Sequence, residues 1–97
     1  MKPDLREQIL TILAEVPLGR VTTYGRIAAM TDGATPRLVA RALRELPAGH
    51  GLPWFRVITA SRKLADHGGA DEQRRRLVAE GVLFDNRGRV AADRLWP

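Results

Sequence analysis

The segment from residue 22 to residue 46 constrains the fold most, because its pattern predicts two short helices separated by a break. Thr22 or Thr23 can cap a helix from Tyr24 to Met30, since a threonine hydroxyl accepts the free backbone N–H groups of a first helical turn. The Thr31-Asp32-Gly33-Ala34 stretch is expected to end that helix. Helix, short turn and second helix together predict a helix-turn-helix.

The second of these helices has two distinct faces. It begins at Thr35-Pro36, a capping threonine followed by proline at the first helical position, and is predicted from Pro36 to about Glu45. Apolar residues recur on one face at the spacing that points them at a core: Val39, Ala42, Leu43 and Leu46. The opposite face carries three arginines around a small residue: Arg37, Ala40, Arg41 and Arg44. This pattern favours a DNA-binding unit, and a solvated face of an ordinary amphipathic helix is the alternative.

Outside this unit the sequence predicts one further helix on each side. The first helix is closed by Pro17 and has one apolar stripe: Leu5, Ile9, Ile12, Leu13 and Val16. The last helix is expected from Ala70 to Glu80, with Leu77 and Val78 facing inward. A small hairpin is predicted over residues 82–90.

The segment Trp54–Ile58 is typical of a buried, extended stretch of chain. On such a segment the adjacent Trp54 and Phe55 would point to opposite faces. One ring could then pack in the core while the other lines a cavity. Core packing of both rings is the alternative.

Length and charge narrow the class of protein. Ninety-seven residues predict a single domain spanning 1–97, mostly α with short β segments. The 16 basic residues against 11 acidic ones give a net charge of +5, and fourteen of the 16 are arginines. Such an arginine-rich basic balance indicates a polyanionic partner, most often nucleic acid. We expect no signal peptide and no membrane span, since no apolar run approaches about 20 residues.

The residue types needed for catalysis or metal binding are scarce. The absence of cysteine excludes a thiolate nucleophile and cysteine-ligated metal, and two histidines, His50 and His67, are too few for a histidine-rich metal site. Neither Ser61 nor the threonines have a histidine at a recognisable motif spacing. Glu80 is interpreted as a solvated residue at a helix end. We therefore expect no catalytic residue, no metal and no cofactor.

Several segments resemble, in order, the DNA-binding and active-site domain of O6-alkylguanine-DNA alkyltransferases, and more closely the cysteine-less alkyltransferase-like proteins. Residues 16–28 resemble the family's Pro-x-Gly-x-Val-x-(Thr/Ser)-Tyr approach to the helix-turn-helix. Residues 36–44 resemble its recognition helix, which begins with an arginine finger. Residues 53–57 stand where the enzymes carry Pro-Cys-His-Arg-Val. Gly68-Gly69 and residues 79–82 resemble the closing segments.

This resemblance implies a winged-helix-like helix-turn-helix domain, as in the C-terminal domain of the alkyltransferases. By resemblance, Tyr24 rotates the 3′ phosphate of the target nucleotide, and Arg37 enters the minor groove to fill the place of the flipped base. The residues it assigns to DNA binding are Thr23, Tyr24, Arg37, Ala40, Arg41 and Arg44. The residues it assigns to a lesion pocket are Tyr24, Pro53, Trp54, Val57, Asp66, His67 and Gly68.

The departures from the enzyme pattern bear on chemistry. Trp54 stands in place of the acceptor cysteine, and Phe55 in place of the histidine that serves as base. Glu80 matches the enzymes' orienting glutamate but is left with nothing to orient. Leu46 replaces an asparagine, and Asp66-His67 replaces Tyr-Ser, which alters the polar contacts expected for the base.

The resemblance implies a non-enzymatic sensor that flips O6-alkylguanine out of double-stranded DNA and directs the lesion to nucleotide excision repair. Nucleotide excision repair proteins would be its partners. We expect a monomer in the cytoplasm, or on the nucleoid of a bacterium. The principal alternative is a small helix-turn-helix transcription regulator, which would read base edges in the major groove, typically as a dimer. An enzyme with an unrecognised hydroxyl nucleophile is a third hypothesis.

Overall fold

The computed structural model describes residues 3–65 and 69–97, and it is mostly helical with one short pair of strands, as predicted. The elements in chain order are α1 (Pro3–Glu15), β1 (Thr22–Thr23), α2 (Tyr24–Ala29), α3 (Pro36–Arg44), a 3-10 turn (Trp54–Arg56), β2 (Val57–Ile58), α4 (Ala70–Ala79) and a second 3-10 turn (Ala92–Arg94). Within these described ranges, no helix has the length and apolarity needed to cross a bilayer.

Side-chain caps position the two helices of the central unit. The Thr23 hydroxyl accepts the backbone N–H of Arg26 at 3.0 Å, so Thr23, rather than Thr22, is the N-cap of α2. The Thr35 hydroxyl accepts the N–H of Leu38 at 3.2 Å and caps α3 in the same way. Between them the Thr31 hydroxyl accepts the N–H of Ala34 at 2.9 Å, which holds the break between the helices in shape.

Two hydrophobic clusters form the core, and the strand pair joins them. The first lies beneath α1, α2 and α3: Ile9, Leu13, Ile27, Ala28, Val39, Ala42 and Val57. The second lies beneath α4 and the C-terminal segment: Val21, Phe55, Ile58, Leu77, Val82 and Val90. β1 and β2 pair in parallel, with Thr22 opposite Val57 and Thr23 opposite Ile58. Because successive strand side chains point to opposite faces, Val57 enters the first cluster and Ile58 the second.

The prediction that the whole segment Trp54–Ile58 is extended is wrong for its first three residues. Trp54–Arg56 forms a 3-10 turn, closed by a hydrogen bond from the Arg56 N–H to the Pro53 carbonyl at 3.0 Å. The two rings are therefore not placed on opposite faces of a strand. Those of Trp54 and Phe55 meet edge to face, with centroids 6.0 Å apart and planes at 89°.

The prediction for α4 is correct for Leu77 and wrong for Val78. Leu77 is fully buried, whereas Val78 is 53% exposed. The second inward position of this helix is taken by Gln73, four residues before Leu77 and therefore on the same face. The sequence pattern favoured burial of the apolar Val78. The fold buries Gln73 instead, because its side-chain amide donates hydrogen bonds to backbone carbonyls.

The predicted C-terminal hairpin is reduced to one antiparallel bridge, between Phe84 and Val90. The turn between them is closed by Asp85, whose carboxylate accepts the backbone N–H groups of Arg87 and Arg89 at 2.8 and 2.9 Å. The backbone adds hydrogen bonds from the Asp85 N–H to the Arg89 carbonyl at 2.9 Å and from the Gly88 N–H to the Asp85 carbonyl at 3.0 Å, so side chain and backbone together hold the turn.

An ion pair between Arg56 and Glu80 connects distant parts of the chain. Arg56 donates to both Glu80 oxygens, at 3.0 and 2.5 Å, and also to the Val16 carbonyl at 2.9 Å. Glu80 additionally accepts the Gly19 N–H at 3.1 Å. The two charged side chains are only 15% and 12% exposed. The interpretation of Glu80 as a solvated residue with nothing to orient is therefore wrong, because it orients Arg56 and fixes the turn after α1.

The environment of Glu80 sets its titration. Burial acts to raise the pKa of this carboxyl, but the hydrogen bonds from Arg56 and Gly19 and the Arg56 charge outweigh it, so the pKa lies below its ordinary value. A lowered pKa means that the folded state favours the ionised carboxylate. The resulting stabilisation is complete above the ordinary pKa of 4.5 and is lost as the pH falls through the lowered value.

Glu80→Gln should accordingly lower the free energy of unfolding by about 2–3 kcal/mol at neutral pH, since it leaves the Arg56 charge unpaired. The free energy of unfolding of this variant should also fall less steeply than that of the wild type as the pH is lowered. Denaturant titrations at several pH values measure both effects. Glu45→Gln is the matched control, because Glu45 pairs with Arg6 and Arg41 at exposed positions, where each such pair contributes at most about 1 kcal/mol. Equal losses from the two variants would contradict the assigned role of Glu80.

Candidate functional site

The three arginines on the outer face of α3 differ in whether they form ion pairs. Arg37 is exposed in the first turn of α3, and no carboxylate within residues 3–65 and 69–97 forms an ion pair with it or with Arg44. Arg41 instead pairs with Glu45 at 3.2 Å. Because exposed pairs contribute little, Arg41 can exchange this partner for a phosphate. The helix therefore offers unpaired guanidinium groups at both ends of its outer face.

A pocket of about 540 Å³ lies against the same helix. Its lining residues come from α2, α3, the loop after α3, the 3-10 turn, the loop between β2 and α4, and α4 itself: Tyr24, Ala40, Leu43, Arg44, Leu46, His50, Trp54, Ala65 and Gln73. The walls are mainly apolar and the polar groups are few, which is the usual character of a site for a small planar ligand. The small side chain of Ala40 leaves the pocket open on the α3 side.

Tyr24 stands at the start of α2, immediately after the capping Thr23, and is half-buried against the first core cluster. Burial raises the pKa of its phenol above the ordinary value, and the positive charge of Arg44 offsets part of this rise. The hydroxyl is therefore protonated at physiological pH, and it can both donate and accept a hydrogen bond.

Trp54 and Phe55 occupy different environments although they are adjacent. Trp54 is half-buried and contributes an aromatic wall to the pocket. Phe55 is buried in the second core cluster, with the guanidinium groups of Arg56 and Arg76 lying 5.2 and 5.3 Å from its ring centroid. A cation near the face of an aromatic ring is attracted by its quadrupole. Phe55 thus anchors the turn, while Trp54 is available to stack on a ligand.

Gln73, which the sequence analysis did not identify, supports the 3-10 turn through hydrogen bonds from α4. Its amide nitrogen donates to the carbonyls of Phe55 and Val57, at 3.1 and 2.8 Å, and the residue is 1% exposed. Its amide oxygen has no partner among the described residues. The one available signal was its spacing of four residues before Leu77, which puts both on the inward face of α4.

The structure brings together part of the predicted site. Tyr24, Ala40, Arg44 and Trp54 line one pocket. Three other predicted site residues lie outside this pocket. Pro53 borders a neighbouring pocket of about 510 Å³, and Val57 is 1% exposed in the core. Thr23 is buried, and its hydroxyl caps α2. Asp66, His67 and Gly68 lie outside the described residues. The pocket also includes residues that were not assigned to it from sequence: Leu43, Leu46, His50, Ala65 and Gln73.

Leu43 and Leu46 show why the two-faced interpretation of α3 was incomplete. Both were predicted to face the core, and both are half-buried and pack against the first cluster. They also line the pocket. A pocket cut into the edge of a core uses core-facing residues as its walls, and helical periodicity alone does not separate the two roles.

The described residues contain no cluster of side chains suited to a metal ion. Across residues 3–65 and 69–97, no group of three or more histidine, cysteine, aspartate and glutamate side chains is arranged to hold a metal ion. The pocket residues above are hydrophobic, aromatic or hydrogen-bonding groups, which suit the binding of an organic ring.

Comparison with known families identifies the class of protein. The model of the family described as "6-O-methylguanine DNA methyltransferase, DNA binding domain" matches residues 4–82. The chain belongs to this family, and the predicted family resemblance is confirmed.

Two curated relatives carry the same description. A "DNA base-flipping protein" of Vibrio parahaemolyticus is 41% identical over 86 residues, covering 87% of this chain and 86% of that protein. A "DNA base-flipping protein" of Escherichia coli is 34% identical over 90 residues, covering 91% and 70%.

Solved structures agree with the fold. S. pombe Atl1, in complex with damaged DNA containing O6-carboxymethylguanine, superposes with a TM-score of 0.84 at 25% identity, covering 100% of this chain and 98% of that one. The Mycobacterium tuberculosis O6-methylguanine methyltransferase superposes with a TM-score of 0.66 at 31% identity, covering 82% of this chain and 50% of the enzyme. The helix-turn-helix domain predicted by resemblance to the alkyltransferases is thereby confirmed.

The arrangement of Tyr24 and Arg44 can be tested by titrating the chain's single tyrosine. Its phenolate absorbance should appear with a midpoint above 10.0, because burial disfavours the charged form. Arg44→Ala should move the midpoint higher still, since it removes the cation that favours the phenolate. Arg75→Ala, on α4, is the control and should leave the midpoint unchanged. A lower midpoint in Arg44→Ala would contradict the geometry, provided that circular dichroism confirms the fold over the same pH range.

Proposed function

We propose that this chain is a non-enzymatic sensor that binds O6-alkylguanine in double-stranded DNA and holds the lesioned base, flipped from the duplex, in the pocket beside α3. The observation that carries the proposal is the pocket itself. It lies next to a helix with unpaired arginines and has an aromatic wall, Trp54, where the enzymes carry their acceptor cysteine.

The physical chemistry of base flipping supports this use of the pocket. Extruding a nucleotide costs a few kcal/mol, and it costs least for a base whose pairing is already impaired. Alkylation at O6 removes a Watson–Crick contact of guanine, so these lesions are the cheaper ones to extrude. Stacking on an aromatic side chain such as Trp54 returns about 1–3 kcal/mol per base, which offsets much of the cost.

Arg37 is proposed as the side chain that takes the place of the extruded base. A guanidinium is planar, stacks on neighbouring bases and carries positive charge into the negative minor groove. Arg37 meets these needs because it is exposed in the first turn of α3, with no ion-pair partner among the described residues. Arg41 and Arg44 then contact phosphates along the same helix, and Tyr24 acts on the nucleotide at the pocket's rim.

Alkyl transfer is not part of the proposed function. The chain has no cysteine to accept an alkyl group, and Phe55 can neither accept nor relay a proton. In this proposal the bound lesion is passed on to nucleotide excision repair, as the family resemblance implies, and the sensor works as a monomer.

Binding to a duplex with one O6-methylguanine, compared with the same duplex carrying guanine, tests the proposal. We expect a clear preference for the lesion, unaffected by the surrounding sequence, and no transfer of labelled methyl to the protein. Affinity should fall with salt, with a slope of about −0.9 for each phosphate neutralised. Strong sequence preference without lesion preference would instead indicate a transcription regulator, and methyl transfer would indicate an enzyme.

A pair of arginine variants tests the finger directly. Arg37→Ala should weaken binding to the lesion by about 1–3 kcal/mol, or roughly 5- to 150-fold. Arg75→Ala is the matched control, because it removes the same charge from an exposed position on α4 and should change affinity by no more than about twofold. Fluorescence anisotropy with labelled duplexes measures both. Equal losses would mean that the basic charge acts diffusely, without a finger.

A further inference from the structure

His50 lies in the loop between α3 and the 3-10 turn, in a position that nothing in the sequence pattern distinguishes. It is half-buried and, like Trp54, is a lining residue of both the main pocket and its neighbour. The flanking Gly49 and Gly51 have φ angles of +78° and +73°. Residues with side chains rarely adopt such angles, so these two glycines allow the loop the shape that presents His50.

The backbone fixes the tautomer of His50. Its Nδ1 accepts the backbone N–H of Leu52 at 2.8 Å. An imidazole nitrogen that accepts a hydrogen bond carries no hydrogen, so the ring hydrogen of His50 is on Nε2. Nε2 lies across the ring from the backbone contact. A residue that lines the pocket therefore carries a hydrogen-bond donor, Nε2–H, which is not free to become an acceptor while the loop keeps this form.

A fixed donor distinguishes alkylated guanine from guanine. In guanine N1 carries a hydrogen and donates, whereas alkylation at O6 removes that hydrogen and leaves N1 with a lone pair that accepts. A donor held against this edge gains a hydrogen bond with the lesion and meets a second donor in the normal base. A buried polar group that is left without a hydrogen-bond partner costs free energy, and this cost can discriminate strongly between the lesion and normal guanine.

The other polar groups of the pocket do not supply this selectivity. The Tyr24 hydroxyl can rotate to donate or accept. The Gln73 amide nitrogen is already used by two backbone carbonyls. Arg44 is a donor, but it is exposed and carries a long flexible side chain. The indole N–H of Trp54 is also a donor, but it lies in the plane of a ring proposed to stack on the face of the base, so it is not directed at the base edge. Among the described lining residues, His50 combines donor character with a hydrogen bond that fixes its ring.

We propose that His50 determines specificity, with its Nε2–H donating to N1 of the extruded O6-alkylguanine. This inference rests on the proposed function, since it names the group that separates lesion from normal base within the same pocket. His50 is a binding residue in this account, and its contact with Leu52 is what keeps its donor on the correct side.

Two substitutions separate the donor from the loop contact. His50→Asn keeps an acceptor for the Leu52 N–H, because an asparagine side chain commonly accepts from the residue two positions on, but it removes the distant donor. His50→Gln places an amide nitrogen near the former Nε2 and weakens the loop contact. The measured quantity is the ratio of affinities for duplexes carrying O6-methylguanine and guanine.

We expect His50→Asn to lower this ratio about tenfold, the effect of losing one buried hydrogen bond, and His50→Gln to restore part of it. Affinity for undamaged DNA should not fall in either variant, because His50 donates no hydrogen bond to normal guanine in this account. A wild-type ratio in His50→Asn would overturn the inference. An equal fall in both variants would also overturn it, because the ring itself, rather than its donor, would then set the ratio.

A modified base gives the complementary test. In 1-deaza-O6-methylguanine a C–H group replaces the N1 lone pair. Wild-type protein should bind this duplex about tenfold more weakly than O6-methylguanine, and His50→Asn should bind the two alike. If wild-type protein prefers O6-methylguanine to guanine but tolerates the 1-deaza base, only this inference fails. If wild-type protein shows no preference for O6-methylguanine over guanine, the proposed function itself is contradicted, and the inference about His50 with it.

Discussion

The ion pair between Arg56 and Glu80 is the interaction on which the site depends. Arg56 follows Trp54 and Phe55 in one 3-10 turn, and its guanidinium reaches both Glu80, at the end of α4, and the carbonyl of Val16, after α1. A bidentate arginine–carboxylate pair is directional as well as strong. It therefore fixes the turn in orientation, and with it the aromatic wall of the pocket.

The rest of the pocket follows from how this turn is supported. Gln73 donates to the carbonyls of Phe55, in the turn, and of Val57, in β2. Phe55 packs into the second core cluster, so Trp54 is left as the ring that borders the pocket. Trp54 thus presents an aromatic surface to the pocket from a turn that Arg56, Phe55 and Gln73 hold in place. Arg56 and Glu80 have a structural role in this arrangement, because their hydrogen bonds join the turn to the end of α4 and to the chain after α1.

Local chemistry in the sequence predicted the helix-turn-helix well, because its caps depend on residues three apart along the chain, such as Thr35 and Leu38. The turn at Trp54, the burial of Gln73 and the pairing of Glu80 were not predictable in the same way. The turn at Trp54 is closed locally, but the bonds that Gln73 and Glu80 make join residues 16 to 61 positions apart, as in the bond from Gly19 to Glu80. His50 was missed for the same reason, since only the folded loop places it on the pocket wall.

The central claim, that a lesioned base enters the pocket beside Trp54, is tested most directly by the emission of that ring. The chain has two tryptophans, so a Trp96→Phe background leaves Trp54 as the sole reporter. Stacking of an extruded base on Trp54 should quench its emission saturably with an O6-methylguanine duplex, and much less with the undamaged duplex at equal occupancy. Tight binding of the lesion with Trp54 emission unchanged would contradict the account.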